Sequence, residues 1–387
     1  MERKGDHMKM EERQAWLEDT YRKLCVKLSA ECDRIGSRIP MEPDDGVYRM
    51  DMSEGDNIFG WTNGFWPGIL WQMYHAKGEE KYLAAARGVE EKLDRALHGF
   101  TRLDHDMGFI WMHSAVADYR LTGSEQSRTR GLMAANLLAG RYNPEGRFIR
   151  VWNKTRFAEN SAGLIIVDCL MNLPLLYWAS GVTEDPRFAY IAKHHADTAL
   201  RTILRADGSC NHIAMLDPGT GELLDTPGGQ GYESGSSWSR GQAWAVYGMA
   251  LSYRHTGNYE YLDAAKRAAH YFIANASLSG WVPLCDFRSP MEPVYWDTSA
   301  GTIAACGLLE LAEHVPSYEK NLYEEGAWNL LTHIESAWNN WDPETDAVVY
   351  GGKRSYHDNL GQRALIYADY FFLEGVLRLL GREFMIW

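Results

Sequence analysis

The sequence predicts an all-α protein, an (α/α)6 barrel in which inner and outer helices alternate and short β-hairpins occupy loops. The chain has 387 residues, which suits one large helical toroid. Six segments repeat one plan of an apolar helix followed by a polar amphipathic helix, whereas strand patterns are few. We therefore expect a single catalytic domain over residues 1–387, with residues 1–45 forming a helical N-terminal extension that packs on the barrel.

Each repeat is marked by the residue at which its apolar helix should stop. A glycine just past a helix end supplies the left-handed conformation, and polar residues after it start the next helix. The four clear stops and the two weaker copies are Gly78, Gly123, Gly181, Gly257, Pro316 and Gly381. Their irregular spacing argues against a solenoid of uniform repeats. The short runs 147–152 and 348–350 are the candidates for hairpins in the connections.

Charge and aromatic content narrow the class of partner. A net charge of -13 argues against a nucleic-acid or anionic-membrane binder. The 15 Trp and 21 Tyr favour a cleft that stacks on sugar rings, because a pyranose offers an apolar face with polar edges. Aromatic side chains that only fill a helical core would give the same composition, so both interpretations stay open.

The absence of targeting, disulfide and metal-binding motifs predicts the cellular compartment and the cofactor requirement. The charged N-terminus has no apolar segment typical of a signal peptide, and the apolar run 164–179 is too short and too interrupted for a membrane span. The six cysteines form no C-x-x-C pair, so they are expected to be reduced. Metal-binding and phosphate-loop motifs do not occur. We expect a cytoplasmic monomer or homodimer that uses no cofactor and no metal.

Polar residues with glycine and aromatic neighbours cluster before the expected inner helices, where they would surround the mouth of the barrel. Asp168 follows the apolar run LIIV, with Leu164 and Ile165 at helical spacing, so desolvation should raise its pKa. Pro174 can open the helix near Asn172 and leave Asp168 at a junction. A functional acid and a structural carboxylate are equally compatible with this run.

Two further segments carry candidate groups. Asp106, in DHDMGF, either caps a helix or faces a second carboxylate, which would leave one of the two protonated near neutrality. Arg240, between Trp238 and Trp244, needs an anion, which is either an internal carboxylate or a bound uronate. His212 and Gln230 can donate hydrogen bonds nearby.

Several motifs in order resemble glycoside hydrolase family 88, the unsaturated glucuronyl hydrolases, and more distantly family 105, the unsaturated rhamnogalacturonyl hydrolases. The motifs are WTNGFWPGILW, LDHDMGF, LIIVDCLMNLPLLYWA, SSWSRGQAWAVYGMAL and DTSAGTIAACGLLELA, which lie within residues 55–380. The resemblance implies an (α/α)6 barrel that hydrates the C4=C5 double bond of a terminal unsaturated glucuronic acid. Its partners would be unsaturated uronic-acid oligosaccharides released by polysaccharide lyases.

The resemblance also assigns roles to residues. Asp168 corresponds to the general acid/base and Asp106 to the second essential carboxylate. The substrate-binding positions are Trp61, His105, Trp152, His212, Gln230, Arg240 and Trp244. The sequence departs from the family pattern at Gly229, where a histidine is expected. The alternatives are the rhamnogalacturonyl specificity, an inverting glycosidase of saturated chains, an epimerase-like barrel and a non-catalytic carbohydrate-binding barrel.

Overall fold

The computed structural model describes residues 2–153 and 161–387, with side chains described from residue 10 onward. Helices dominate it. In chain order they are α1 (Glu2–Ile35), α2 (Phe65–Lys77), α3 (Glu80–His98), α4 (Met107–Trp111), α5 (Ala117–Thr122), α6 (Glu125–Ala139), α7 (Leu173–Thr183), α8 (Pro186–Thr202), α9 (Ser239–Thr256), α10 (Tyr259–Leu278), α11 (Thr298–His314), α12 (Ser317–Trp338) and α13 (Ile366–Leu380).

The helices form two concentric rings. The inner ring is α2, α4 with α5, α7, α9, α11 and α13, and each member contacts the next until α13 closes on α2. A π-helical turn, Met112–Val116, joins α4 to α5 into one inner element. The partners α3, α6, α8, α10 and α12 each follow and contact their inner helix. The fold is thus an (α/α)6 barrel.

Helix α1 stands beside α13, the inner helix that has no following partner. Its Lys23 Nζ lies 3.4 Å from Glu335 Oε1 of α12, and its Asp33 Oδ1 lies 2.9 Å from Lys81 Nζ of α3. The first helix therefore occupies the sixth outer position, between the last outer helix and the first one.

The helix ends show why the repeat was visible in the sequence. The backbone is left-handed just past four inner elements, at Gly78, Gly123, Gly257 and Gly381, with φ values of 66°, 75°, 67° and 63°. Such φ angles cost a residue with a Cβ atom, so glycine stops the helix. The expected stop at Gly181 is wrong, because α7 continues to Thr183 and Glu184 takes the left-handed conformation. Pro316 precedes α12.

Inner helices are buried on nearly all sides, so small residues set how closely they approach. A Cβ atom on Gly307 of α11 would lie 2.9 Å from the Tyr247 Cβ of α9, and one on Gly248 would lie 2.4 Å from the Leu170 Cβ. Both distances are shorter than side chains tolerate. The glycines of these apolar helices therefore serve the packing of the inner ring.

Short strands occur in the connections. The hairpin of β1 (Tyr142–Asn143) and β2 (Phe148–Ile149) overlaps the predicted run 147–152. A three-stranded antiparallel sheet contains β3 (Leu164–Ile166), β4 (Ile213–Leu216) and β5 (Leu223–Asp225). The helical spacing expected for Leu164 and Ile165 is wrong, because three apolar residues fit a buried strand equally well. Residues 348–350 contribute a single bridge, between Val349 and Asn339.

The sheet matters for the site because it brings distant segments together. Val167 N–H, directly after β3, donates to His212 O, directly before β4, at 3.0 Å. Val151 N–H donates to Leu164 O at 3.0 Å. Within the part of the chain that the structure describes, no helix is both long and apolar enough to cross a membrane.

Candidate active site

Asp168 lies at the junction between a strand and an inner helix. After β3 the chain makes a 3-10 turn, Val167–Met171, and α7 begins at Leu173 with Pro174 in its first turn. The Asp168 side chain is 14% exposed, and its Oδ1 has no hydrogen-bond partner among the described residues. Burial raises the pKa of this carboxyl to about 7, against the opposing positive charge of Arg240. The group is therefore partly protonated at neutral pH.

Asp106 is the second carboxylate of the site. It precedes α4, but its side chain makes no capping bond to that helix, so the carboxylate is left for other contacts. Burial, together with the negative charges of Asp104 and Asp168, holds its pKa well above the usual range. His105 Nε2 lies 3.2 Å from Asp106 Oδ1. His105 is wholly buried, and burial lowers its pKa well below the ordinary value, so the ring is neutral.

His212 faces Asp168 in one defined tautomer. Gln230 N–H donates to His212 Nδ1 at 2.9 Å, so Nδ1 is the acceptor and Nε2 carries the proton. Burial lowers the pKa of His212 to about 3, which keeps the ring neutral. His212 Nε2 lies 3.9 Å from Asp168 Oδ1, too far for a direct hydrogen bond. A neutral N–H thus points toward the acid without binding it.

Gly229 explains how the backbone approaches this histidine so closely. Its φ is 62°, and a Cβ atom at this position would lie 2.0 Å from His212 Nδ1. Any side chain on this backbone would therefore displace His212. The departure from the family pattern at Gly229 accompanies the bond from Gln230 N–H to His212 Nδ1.

A cavity of about 170 Å³ is connected to this site through Gln230, which bonds to His212, although neither Asp168 nor Asp106 is among its lining residues. Three predicted substrate-binding residues line it, Trp61, Gln230 and Arg240. The half-buried Trp61 ring lies 4.9 Å from the ring of Tyr367, another lining residue. Gln230 Nε2 donates to Arg354 O at 2.7 Å. A larger depression, about 770 Å³, is lined by Met107, directly after Asp106, and by Arg141 and Asn153.

Arg240 has an internal anion as its partner. Its guanidinium forms a buried ion pair with Asp297 and donates to the carbonyl oxygens of Lys353 at 2.7 Å and Arg354 at 2.6 Å. Its guanidinium carbon lies 4.6 Å from the centre of the Trp238 ring. The internal carboxylate, one of the two anions left open by the sequence, is present in the structure. Arg240 also lines the cavity, and its positive charge acts on Asp168.

Two predicted tryptophans do not line this cavity. Trp244 is wholly buried in the inner ring, with its ring 5.1 Å from Phe109 and 5.6 Å from Phe371. Its packing indicates a core residue and gives no support to the stacking role expected from the sequence. Trp152 is half-buried and packs with Ile213, Met215 and their neighbours on the small sheet.

Comparison with known proteins identifies the family of this chain. The family model described as Glycosyl Hydrolase Family 88 matches residues 33–282 of the chain. The chain belongs to glycosyl hydrolase family 88. It is accordingly a glycoside hydrolase.

Relatives cover this family 88 chain nearly end to end. The unsaturated glucuronyl hydrolase of Bacillus sp. (strain GL1) is 37% identical, over 89% of this chain and 92% of that protein. The unsaturated chondroitin disaccharide hydrolase of Streptococcus pyogenes serotype M1 is 32% identical, over 88% of this chain and 84% of that protein.

Solved structures agree with the fold of this family 88 enzyme. The Bacillus sp. GL1 unsaturated glucuronyl hydrolase, responsible for the degradation of glycosaminoglycan, superposes with a TM-score of 0.87 at 34% identity, covering 94% of this chain and 96% of that one. A mutant unsaturated glucuronyl hydrolase from Streptococcus agalactiae, complexed with dGlcA-GalNAc6S, gives 0.81 at 28% identity, covering 96% and 93%.

Sequence reasoning did not single out three residues of this family 88 site. Asn172 bonds to Asp106, Asp104 raises the pKa of Asp106, and Asp297 pairs with Arg240. The quoted motifs contain all three residues; Asp104 is a chain neighbour of Asp106, but the partners of Asn172 and Asp297 are remote in sequence. Composition and spacing identify such residues as polar and give no sign of what they contact.

One group of metal-type ligands occurs among the described residues, away from the site. Glu310, Glu313 and His314 bring their ligand atoms within 4.8 Å of one another. Arg254 and Arg378 already pair with the two glutamates, at N–O distances of 2.5 to 2.8 Å. These contacts make the group an ion-pair network between inner helices.

Proposed function

We propose that this family 88 enzyme removes the non-reducing terminal 4,5-unsaturated glucuronic acid from lyase-generated oligosaccharides, by hydrating the C4=C5 vinyl ether. The observation that carries the proposal is the largely buried Asp168, whose pKa of about 7 lets it give and take a proton at neutral pH. The similarity to an unsaturated glucuronyl hydrolase and an unsaturated chondroitin disaccharide hydrolase supports the substrate class.

The first step is proton transfer to carbon. Protonated Asp168 adds its proton at C4, and the positive charge that develops at C5 is shared with the ring oxygen. Burial is what makes this step possible, because a carboxyl group with the ordinary pKa of 3.8 would be almost wholly ionised at pH 7. Asp106 shares the negative environment of Asp168 and is the second essential carboxylate.

The second step adds water. The Asp168 carboxylate takes a proton from a water molecule as that water attacks C5, and this restores the acid for the next cycle. The resulting C5 hemiketal opens to a ketone, which leaves C1 as a hemiacetal. The C1 hemiacetal then collapses to an aldehyde and releases the aglycone. Because no nucleophile attacks C1, the separation rule for inverting and retaining carboxylates does not apply.

The remaining predicted residues shape the site. Trp61 offers an aromatic face to the sugar, and Gln230 lines the same cavity. The His212 Nε2–H and His105 point toward the two acids. Arg240 supplies positive charge beside a uronate, although its ion pair with Asp297 already uses part of the guanidinium. The proposed contacts of Trp152 and Trp244 with substrate are supported by the resemblance alone.

Compartment and assembly belong to the same proposal. The cysteines are all free, and five of the six are buried, which supports a reducing, cytoplasmic environment. The enzyme would act there on short fragments, as a monomer or homodimer with residues 1–387 as one catalytic domain.

The test is incubation with unsaturated disaccharides made by a polysaccharide lyase. We expect the alkene absorbance to fall while the aglycone sugar appears in equal amount. Release of sugar from saturated chains, with the alkene of the unsaturated ones untouched, would contradict the proposal and favour an inverting glycosidase.

A further inference from the structure

Asn172 lies between the two segments that carry the candidate acids. It is the residue directly before α7, and its side chain is wholly buried. An asparagine in this place commonly caps its own helix, but the Asn172 side chain makes no such bond. It extends instead to α4, the helix that follows Asp106.

Both the oxygen and the nitrogen of the Asn172 side-chain amide form hydrogen bonds. Its Oδ1 accepts from Phe109 N–H, in the first turn of α4, at 2.9 Å. Its Nδ2 donates to Asp106 Oδ1 at 3.2 Å and approaches the backbone oxygen of Asp168 at 3.4 Å. The bond from Phe109 fixes which end is oxygen, so an N–H must face Asp106. One side chain thereby touches the segments of both carboxylates.

The backbone holds this contact at close range. A Cβ atom on Gly108 would lie 2.4 Å from Asn172 Cα and 2.8 Å from Asn172 Oδ1. Glycine is therefore required for the two chain segments to meet. Asn172 Oδ1 also caps α4 by accepting from Phe109 N–H. The Asp106 carboxylate makes no capping bond to this helix and can form other contacts.

We infer that Asn172 is a positioning residue, whose N–H orients Asp106 and whose carbonyl ties α4 to the Asp168 turn. This inference rests on the proposed function, because it gives the amide a role through Asp106. An amide donor is suited to this place, since it bonds to a carboxylate without adding a charge to a buried acidic cluster.

The surroundings of Asp106 show why an uncharged donor matters. Asp104 and Asp168 act on it with negative charge, and the positive charge of Arg141 opposes them. His105 is neutral, and burial and these carboxylates raise the pKa of the Cys169 thiol well above its usual range. A further carboxylate at residue 172 would have to hold a proton in order to sit beside Asp106.

Asn172→Asp tests the donor separately from the fold. The acid form of this side chain reproduces the native pattern, since one oxygen accepts from Phe109 N–H while the O–H donates to Asp106. The ionised form keeps the acceptor and loses the donor. At pH 8 the introduced side chain should be ionised and unable to hold Asp106 in place. We expect kcat/KM for an unsaturated disaccharide to fall about a hundredfold there, because a reacting group displaced by about 1 Å costs that much. The variant-to-wild-type ratio should recover as the pH falls, by up to about tenfold per unit.

The control is Asn275→Asp, at a half-buried amide that donates to Tyr271 O at 2.8 Å on the outer helix α10. Its activity ratio to wild type should not vary with pH. A merely structural Asn172 would give a variant with a lowered melting temperature and a pH-independent activity ratio, which would overturn the inference. Should wild type itself leave the alkene intact, the proposed function fails instead, so the two failures are distinguishable.

If Asn172→Asp does not fold, Asn172→Ser supplies the second measurement. The hydroxyl can donate to a nearby acceptor but is too short to bridge Phe109 N–H and Asp106 together. We expect kcat to fall while KM changes little, because Asp106 is displaced without any change to the cavity lined by Trp61. Unchanged kcat in the folded serine variant would also overturn the inference.

Discussion

Replacing Asp168 by asparagine removes the acid on which the proposed reaction depends. The amide is nearly isosteric but can neither deliver a proton to C4 nor accept one from water. Positioned general acid–base groups contribute about a hundredfold to ten-thousandfold, and Asp168 serves in both steps, so we expect a loss of about a thousandfold or more in kcat. Substrate binding should be largely retained.

The pH dependence of the wild-type kcat/KM tests the same role of Asp168 quantitatively. Burial raises the pKa of Asp168 from 3.8 to about 7, so roughly half of the molecules are protonated at pH 7, instead of fewer than about one in a thousand. Because the protonated form starts the reaction, kcat/KM should fall about tenfold per pH unit above pH 7.

Both results are read from the loss of alkene absorbance with a lyase-generated disaccharide. Asp263→Asn is the matched control, since this carboxylate is exposed on α10 and pairs with Arg267 at 3.0 Å. It should keep the wild-type rate. Residual alkene loss above about one per cent in Asp168→Asn, well outside the expected range, would refute the reasoning. A wild-type rate that stays constant from about pH 6 to pH 9 would refute it as well.

Three further results are expected. Asp106→Asn should be severely impaired, and the double variant with Asp168→Asn should be little worse than either single one when alkene loss is measured, because the pair acts as a unit. Asp168→Asn should be more stable than wild type at pH 8 by up to about 4 kcal/mol in urea denaturation. This sign follows because a folded-state pKa raised from 3.8 to about 7 gives stability that is complete below pH 4 and is lost as the pH rises toward 7. Arg240→Ala should cost about 3 to 5 kcal/mol of unfolding free energy, since it leaves Asp297 buried without its cation; a loss under about 1 kcal/mol would contradict the pairing.

The barrel could be predicted because its signals are local. Gly78, Gly123, Gly257 and Gly381 mark helix ends through their own backbone conformation, which depends on no distant residue. The stop at Gly181 failed because an ordinary residue, Glu184, adopts the left-handed conformation three residues after that glycine. Strand β3 was missed since three apolar residues have no period of their own.

The site could be predicted only in part. Asp168 and Asp106 were identified from their unusual surroundings in the sequence, and both are largely buried acids with raised pKa values in the structure. The contact of Asn172 with Asp106 joins residues far apart in the chain, as does the pairing of Arg240 with Asp297. Such contacts arise when helices close into a ring, and no local pattern encodes them.

The measurement that tests the account most directly uses an unsaturated glucuronyl C-glycoside, in which a methylene group replaces the glycosidic oxygen. This analogue keeps the C4=C5 vinyl ether but has no C1–O bond to an aglycone that direct displacement could break. In deuterium oxide, wild type should remove its alkene and place deuterium at C4 of a 5-keto product, and Asp168→Asn should not. Recovery of the analogue with its alkene intact, under conditions that consume the natural O-glycoside, would contradict hydration by Asp168.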